Sequence, residues 1–434
     1  MGKNVLLFAS LILSILTSGC GKGLNFIQDQ ETISPPSGTL VTSFGTSGKT
    51  LLLVPGTTAI NIYDGRLQSD GKFVVTGSAN IGGLLNWLVA RINTDGTLDT
   101  TFNGTGYWTH GDLSADAELS GIDIQSDGKI VACGWWTSTY NEGVVRLNSD
   151  GTPDTTFGTS GIFTYGTNGL GYTAKVLSSG KILIGGTTLR SGVWQFSLLQ
   201  LNSNGTVNSS FGTSGIVFPL TPGENGYVTA IAIQNDGKIL LGGESSSDNT
   251  HYDQMAIARL NANGSTDTTF NSTGSREISI SPGSDGALSG LAVQSDGKIV
   301  ASAHGSDGGP HQIGLLFRLN TNGTSDAGFG TAGKVLSDSG YDEQFGKLSV
   351  LSNGNIVVPG YVTDSGGHSS ASIKSYTSTG LVNSSFGTDG AVTLDFGTGD
   401  SSFLALSVRS DGKILIAGEG ISTSGGIASA LLWP

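Results

Sequence analysis

The sequence predicts an all-β fold, a seven-bladed β-propeller with four antiparallel strands per blade. The closing blade is expected to be completed by the N-terminal strand. Three observations predict this. One unit recurs seven times, its first turn falling at Gly71, Gly128, Gly180, Gly237, Gly297, Gly354 and Gly412, a spacing of 52 to 60 residues. Each unit is made of short alternating runs joined by turns, the period of half-buried strands. The chain stops after a third run, Ala430 to Pro434, and opens with what reads as the missing linker and fourth strand, Gly38–Phe44 and Lys49–Val54. Pairing the two ends would cover an open sheet edge. An open solenoid would need polar capping repeats, and neither end has one.

The chain begins with a targeting segment. Lys3 is followed by an apolar run, Val5 to Leu16, and then by Ser18, Gly19 and Cys20. About twenty apolar residues are needed to span a bilayer, so residues 1–19 read as a lipoprotein signal peptide rather than a membrane span. Leu16-Thr17-Ser18-Gly19-Cys20 resembles a bacterial lipobox with Leu four residues before the Cys. That resemblance implies acylation of Cys20; plain secretion is the alternative. Several acyl chains, each buried methylene worth about 0.8 kcal/mol, anchor stably. The expected address is therefore the bacterial cell envelope, in the outer membrane where there are two. Residues 20–37, with Pro35-Pro36, read as a flexible tether, and 38–434 as one propeller domain. Cys133 is the only other cysteine, so no internal disulfide forms after processing. It sits in an apolar run as a small buried hydrophobe.

The composition has 69 Gly, two Met and 13% charged residues, and the net charge is -13. That charge repels phosphate backbones and anionic headgroups, so nucleic acid is excluded. Cations, neutral sugars and basic proteins remain as partners. A monomer is expected.

Within the second repeat the strands are expected at Leu119–Gln125, Lys129–Gly134, Gly143–Asn148 and Gly161–Tyr165. The first strand alternates, with Ile122 and Ile124 on one face and small or charged residues on the other. Small residues suit a crowded axis, so this strand is placed innermost. Asp-Gly and Asn-Gly at the first turn suggest tight hairpins with two left-handed residues. Phe44, Phe102, Phe157, Phe211, Phe270, Phe329 and Phe386 recur at one register and read as wedges between repeats. Polar pairs flank the second turn: Arg91 with Asp99, Arg146 with Asp154, Arg259 with Asp267 and Arg318 with Asp326. In two other copies they become Gln200 with Asn208 and Ser375 with Asn383. Arg occurs only where Asp does, which predicts a direct, bidentate and structural contact. The run Asn93, Asp95, Asp99 invites a calcium reading, but it lacks the closing Glu of a calcium loop; turn capping explains the same residues.

The Gln-x-Asp-Gly-Lys-Ile turn followed by Arg-Leu-Asn-x-Asp-Gly-x-x-Asp-x-x-Phe-Gly resembles the bacterial delta-60 repeat family, relatives of NHL-type propellers. The resemblance covers residues 38–434 and implies the fold, with almost nothing implied about activity.

Both Asp-Gly turns of a repeat fall on one face of the disc, and the variable loops on the other, where specificity is built. That second rim is acidic, with Glu142 among its carboxylates, and binding-face candidates there are Trp135, Trp136, Tyr140, Trp194, Glu244, Asp248, His251, Tyr252, Asp253, His304, His311, Asp364 and His368. Aromatics beside carboxylates stack sugars and fix their hydroxyls. No cofactor motif is present. Carboxylates and imidazoles could hold a divalent cation, although no pair has ligand spacing. On the inner strand Arg66, Asp123 and Lys175 share a register and form a charged patch or a mutually neutralised group. No nucleophile elbow, phosphate loop, Cys-x-x-Cys or His-Glu-x-x-His occurs. The reading is an exported binding or scaffold module that contacts protein or glycan. The alternatives are a glycan-cleaving enzyme using rim carboxylates and a purely structural surface protein.

Overall fold

A computed structural model describes residues 35–111, 115–136, 141–166, 168–220, 224–246, 254–281, 284–396, 400–420 and 426–434. Cys20 and the signal segment lie outside them. Seven antiparallel sheets follow one another along the chain. Blade one is built of Ile60–Leu67, Phe73–Ile81, Leu84–Ile92 and Tyr107–His110, in that order from the axis outward. Blade two uses Ala117–Ile124, Ile130–Trp136, Asn141–Leu147 and Ile162–Tyr165, within two residues of the expected bounds. The inner strands of blades three to five are Gly169–Val176, Asn225–Ile233 and Gly286–Val293. Blade seven joins Ser401–Val408, Ile414–Gly420 and Gly426–Leu432 to the leading strand Lys49–Leu52, with Lys49 opposite Ala430 and Leu52 opposite Ile427. The seventh sheet is thus zipped shut from both ends of the chain.

A second seal runs around the whole disc. The residue after each landmark Phe donates its N–H to a turn carbonyl of the next repeat: Gly45 to Asp95, Asn103 to Asp150, Gly158 to Asn204, Gly212 to Asn263, Asn271 to Asn322, Gly330 to Thr379 and, across the closure, Gly387 to Ser37. Each Phe is buried there. A methyl group added at Gly151 would lie 2.8 Å from the Phe102 ring. The wedge therefore needs a glycine in the following turn, and that glycine also has a positive φ of 88°.

The arginine sits on the same ring. Arg91 Nε donates to Asp99 Oδ2 at 2.7 Å, and its guanidinium stacks 4.7 Å from the Phe102 centroid. Its Nη1 turns away to Gln68 and to the Ser149 carbonyl of the next repeat. Asp99 Oδ1 is occupied by Thr101, and Lys72 Nζ takes Oδ2 at 2.8 Å. The expected two-pronged fork is therefore replaced by a single prong, because the second arm ties one blade to the next. Arg146, Arg259 and Arg318 repeat the contact at 2.7 Å. Gln200 and Asn208 keep a neutral version, Nδ2 to Oε1 at 2.6 Å, and Asn383 donates to Ser375 at 3.1 Å. Asp95 accepts from the Thr97 amide and hydroxyl, which closes its own turn.

Two expectations are corrected. In the first turn only the glycine is left-handed: Gly71 has φ 81°, Gly71 N–H donates to the Gln68 carbonyl, and Gln68 N–H to Lys72. This is a four-residue turn ending in a glycine bulge rather than a two-residue hairpin. The inner strands also do not alternate throughout. Register slips by one residue between Ile62 and Asp64, Leu119 and Gly121, Gly171 and Thr173, Val228 and Ala230, Leu288 and Gly290, and Phe403 and Ala405. The extra residues are Tyr63, Ser120, Tyr172, Thr229, Ser289 and Leu404. Each bulge flips the parity, so Leu119 and Ile122 face the same apolar cluster. Blade six replaces the bulge with a break, its inner strand split into Glu343–Phe345 and Ser349–Val350.

Candidate functional site

Inner strands run from the variable face toward the Asp-Gly turns, so the bulges stand in the upper half of the channel. Above them, seven cross-strand pairs share one level: Asn61 with Ser78, Glu118 with Trp135, Leu170 with Thr187, Tyr227 with Glu244, Ala287 with His304, Gln344 with Tyr361, and Ser402 with Glu419. These positions lie in the seams between successive blades. Gln344 Nε2 meets His304 Nε2 of the preceding blade at 2.9 Å, and Ser289 Oγ lies 3.2 Å from its Nδ1. Tyr227 OH donates to Glu244, and Ser402 Oγ to Glu419 at 3.4 Å. Tyr63 bonds Ser78 and Glu118.

This level carries most of the chemistry at the variable face. Burial pushes the Glu118 carboxyl above its ordinary value, Asp116 adds to this, and the bond from Tyr63 opposes it. Glu419 is raised in the same way by burial and Asp400, against Ser402. Tyr63 and Tyr172 are raised by burial and by the negative field of the nearby glutamates. Burial takes the His304 imidazole down to about 4, so it is neutral at pH 7. The mouth thus carries two half-buried carboxylates, Glu118 and Glu419, together with tyrosine side chains such as Tyr63, Tyr172 and Tyr361. Such groups accept and donate hydrogen bonds to a polyhydroxylated ligand.

The rim candidates separate accordingly. Trp135 and Glu244 stand at this level, and His304 joins it as a half-buried seam residue instead of an exposed loop. Trp136 is corrected: it is buried against Trp87 at 4.1 Å and presents no face to solvent. Trp194 is half-buried on a strand, where its backbone N–H donates to Asn225 Oδ1. His311 lies 6.0 Å from Tyr341, while Asp364 and His368 form an exposed loop in which Asp364 accepts from the His368 amide at 3.0 Å. Tyr140, Asp248, His251, Tyr252 and Asp253 fall outside the described residues. Among the described residues no three His, Cys, Asp or Glu side chains gather to hold a metal ion.

Glu142, expected on the rim, is buried in the seam between blades two and three. Its carboxyl lies against Gly169 and Gly171, its Oε1 has no hydrogen-bond partner, and burial pushes it up to about 8. Cys133 beside it is a fully buried free thiol.

At the opposite half of the channel Arg66, Asp123 and Lys175 come together. They are joined by two residues that the sequence did not single out, Asp64 and Lys347. Lys347 Nζ reaches from the break in blade six to Asp64 of blade one at 2.6 Å. At that level blade seven offers only Ala405, which leaves the path clear.

Five segments match the family described as "Domain of unknown function (DUF5122) beta-propeller": residues 68–102, 125–157, 177–211, 234–270 and 294–329. The chain is a β-propeller repeat protein. The segments matched in this propeller run from first turn to landmark Phe, the stretch that carries the wedge and, in four of the five, the Arg–Asp pair, with Gln200 and Asn208 in its place in 177–211. No curated protein matches its sequence. Among solved structures the propeller is similar to a protein of unknown function from Dyadobacter fermentans, at 10% identity over 89% of this chain and 98% of that one, TM-score 0.46. It is also similar to the extracellular domains of Drosophila Semaphorin 1a, at 11% identity over 89% and 88%, TM-score 0.46. A gluconolactonase from Xanthomonas campestris matches at 13% identity over 74% and 90%, TM-score 0.36. Likeness at this level says nothing of activity.

Proposed function

We propose that the propeller is an exported binding module, held in the bacterial envelope by lipid on Cys20, that takes a neutral glycan, free or carried on a protein, at its variable face. The observation that carries this reading is the division of labour between carboxylates. Asp99, Asp154, Asp267 and Asp326, which follow the second turns, are neutralised by an arginine and a lysine of their own repeat, whereas Glu118 and Glu419 are held at the channel mouth by hydroxyls alone among the groups that lower them. A ligand hydroxyl can complete what the fold leaves open there. Tyrosines next to these carboxylates add flat, rigid contact area at low entropic cost.

A glycan-cleaving role is the weaker reading. The carboxyl that burial holds protonated near neutrality, Glu142, is sealed in a seam with 3% exposure, out of reach of a scissile bond. The test is a glycan array on the full chain, repeated with Glu118→Gln and Glu419→Gln. Binding that both variants weaken supports the module. A blank array returns the protein to a purely structural role. Anchoring is tested separately: labelled palmitate should enter the wild type and not Cys20→Ala.

A further inference from the structure

The lower half of the channel is a cavity of about 310 Å3, lined by Arg66, Lys347, Thr173, Ser349, Ser407 and a set of aliphatic side chains that includes Leu291 and Leu406. The charges at its wall and beside it do not balance. Asp64 is fully buried and pairs with Arg66 and Lys347, each at 2.6 Å; Asp123 pairs with Lys175 at 3.0 Å and Arg66 at 3.9 Å. Three cations thus face two carboxylates, and one positive charge is left without a counter-ion. Both carboxylates are committed elsewhere as well. Asp64 accepts from the Gly65 amide at 2.8 Å, and Asp123 from the Val176 amide at 2.8 Å. Burial works to raise Asp64, but Arg66 and Lys347 outweigh it and hold it below its ordinary value, so it stays ionised.

The cations, by contrast, keep donors in hand. Among the described residues Lys347 Nζ pairs with Asp64 alone and Lys175 Nζ with Asp123 alone, so each ammonium retains two N–H groups. Arg66 spends Nη1 on Asp64 and on the Gly65 carbonyl, and among the described residues makes no bond through Nη2. Side-chain exposures of 22% for Lys347, 30% for Arg66 and 35% for Lys175 show that solvent reaches them.

We propose that this cavity is a binding site for a small hydroxylated monocarboxylate. One uncompensated charge calls for a single anionic group, and the converging N–H donors supply charge-assisted hydrogen bonds to it. The hydroxyls of Thr173, Ser349 and Ser407 meet polar substituents of the ligand, and the aliphatic walls cover its carbon skeleton. The volume lies at the lower end of ordinary small-molecule sites. The site is distinct from the upper mouth and does not depend on the glycan reading.

The experiment is calorimetric titration of D-glucuronate into the full-length protein, with D-glucose and inorganic phosphate as the other titrants. Saturable binding of one glucuronate, with none of glucose, is expected. Ser349→Leu and Ser407→Leu, which fill the cavity without touching a charge, should each weaken it at least tenfold with melting temperatures kept. Lys347→Met should remove binding, but it also strands Asp64, so the two serine variants carry the test. No glucuronate binding, or affinity unchanged in both leucine variants, overturns the proposal. Phosphate binding without glucuronate overturns the carboxylate assignment. A blank glycan array leaves this result standing, since the two sites are probed by different ligands.

Discussion

On the Asp-Gly face Asp99, Asp154, Asp267 and Asp326 each meet one arginine and one lysine at 2.7 to 3.4 Å. On the variable face Glu118 leans on a tyrosine and Glu419 on a serine. The first group is held below its ordinary value, Asp267 at about 2, and the second above. Burial acts the same way on both; partners decide the sign. The difference teaches that one face spends its charges on joining blades, while the other keeps carboxylates whose partners are incomplete. Repetition follows from the first task, since every seam needs the same joint. Variation is open to the second, which no repeated joint constrains.

Breaking the joint should have the largest effect. Arg146→Ala leaves Asp154 buried beside Lys129 alone and removes the link to Ser203, so a loss of about 3–5 kcal/mol is expected in denaturant unfolding. Phe157→Ala, which opens a cavity against Gly205, should cost a similar 3–5 kcal/mol or so. Losses under 1 kcal/mol or so in both would dissolve the distinction between the faces.

Glu142 gives a sharper contrast through pH. Its folded value of about 8 lies above the ordinary 4.5, so the native state binds the extra proton and stability falls as pH rises between these values. The turn aspartates have the opposite sign: their contribution is present above the ordinary 3.8 and is lost as pH falls below it. Below pH 6.5 the buried, neutral His304 acts in the opposite direction, so melting followed from pH 6.5 to 8 should decline in the wild type, and Glu142→Gln should flatten the decline and melt higher at pH 8. A wild-type curve that rises over this range would refute the buried-acid assignment.

Smaller effects complete the series. Gln200→Ala, in the blade where the joint is neutral, should cost about 1 kcal/mol, well below Arg146→Ala. Glu118→Gln should change stability by about 0.5 kcal/mol or less while it reduces ligand capture. Equal losses for Gln200 and Arg146 would mean that the charge in the joint contributes nothing.

Much of the fold was legible because its rules are local and repeated. Seven turns at one spacing, seven phenylalanines and a missing fourth strand need no knowledge of distant contacts. The channel was harder to read, for two physical reasons. The bulges at Tyr63, Ser120 and Tyr172 shift side-chain parity by one, so counting alternate residues from Ile122 misplaces everything nearer the variable face. Lys347 and Asp64 lie 283 residues apart and belong to blades that do not touch in sequence. Nothing in either repeat marks the other. Glu142 and His304 looked like loop residues because polar side chains near a turn usually are. Here the third and second strands run further than their hydrophobic pattern suggests, and the two residues are drawn into seams. A signal was available for Glu142, since Gly169 and Gly171 in the next blade are the small residues that make room for it.

The leading strand Lys49–Leu52 is an outer strand of the last sheet and pairs with residues near the opposite terminus. Blades one to six can dock in order as they are made, but the final sheet waits for nearly the whole chain. Ring closure is then the late, slow event, governed by contacts of the longest sequence separation in the molecule. Until it occurs, the strand Gly426–Leu432 offers a bare edge to any other chain in the same state, and two unfinished rings could trade their leading strands. Assembly of this protein is therefore most open to such exchange at its final step.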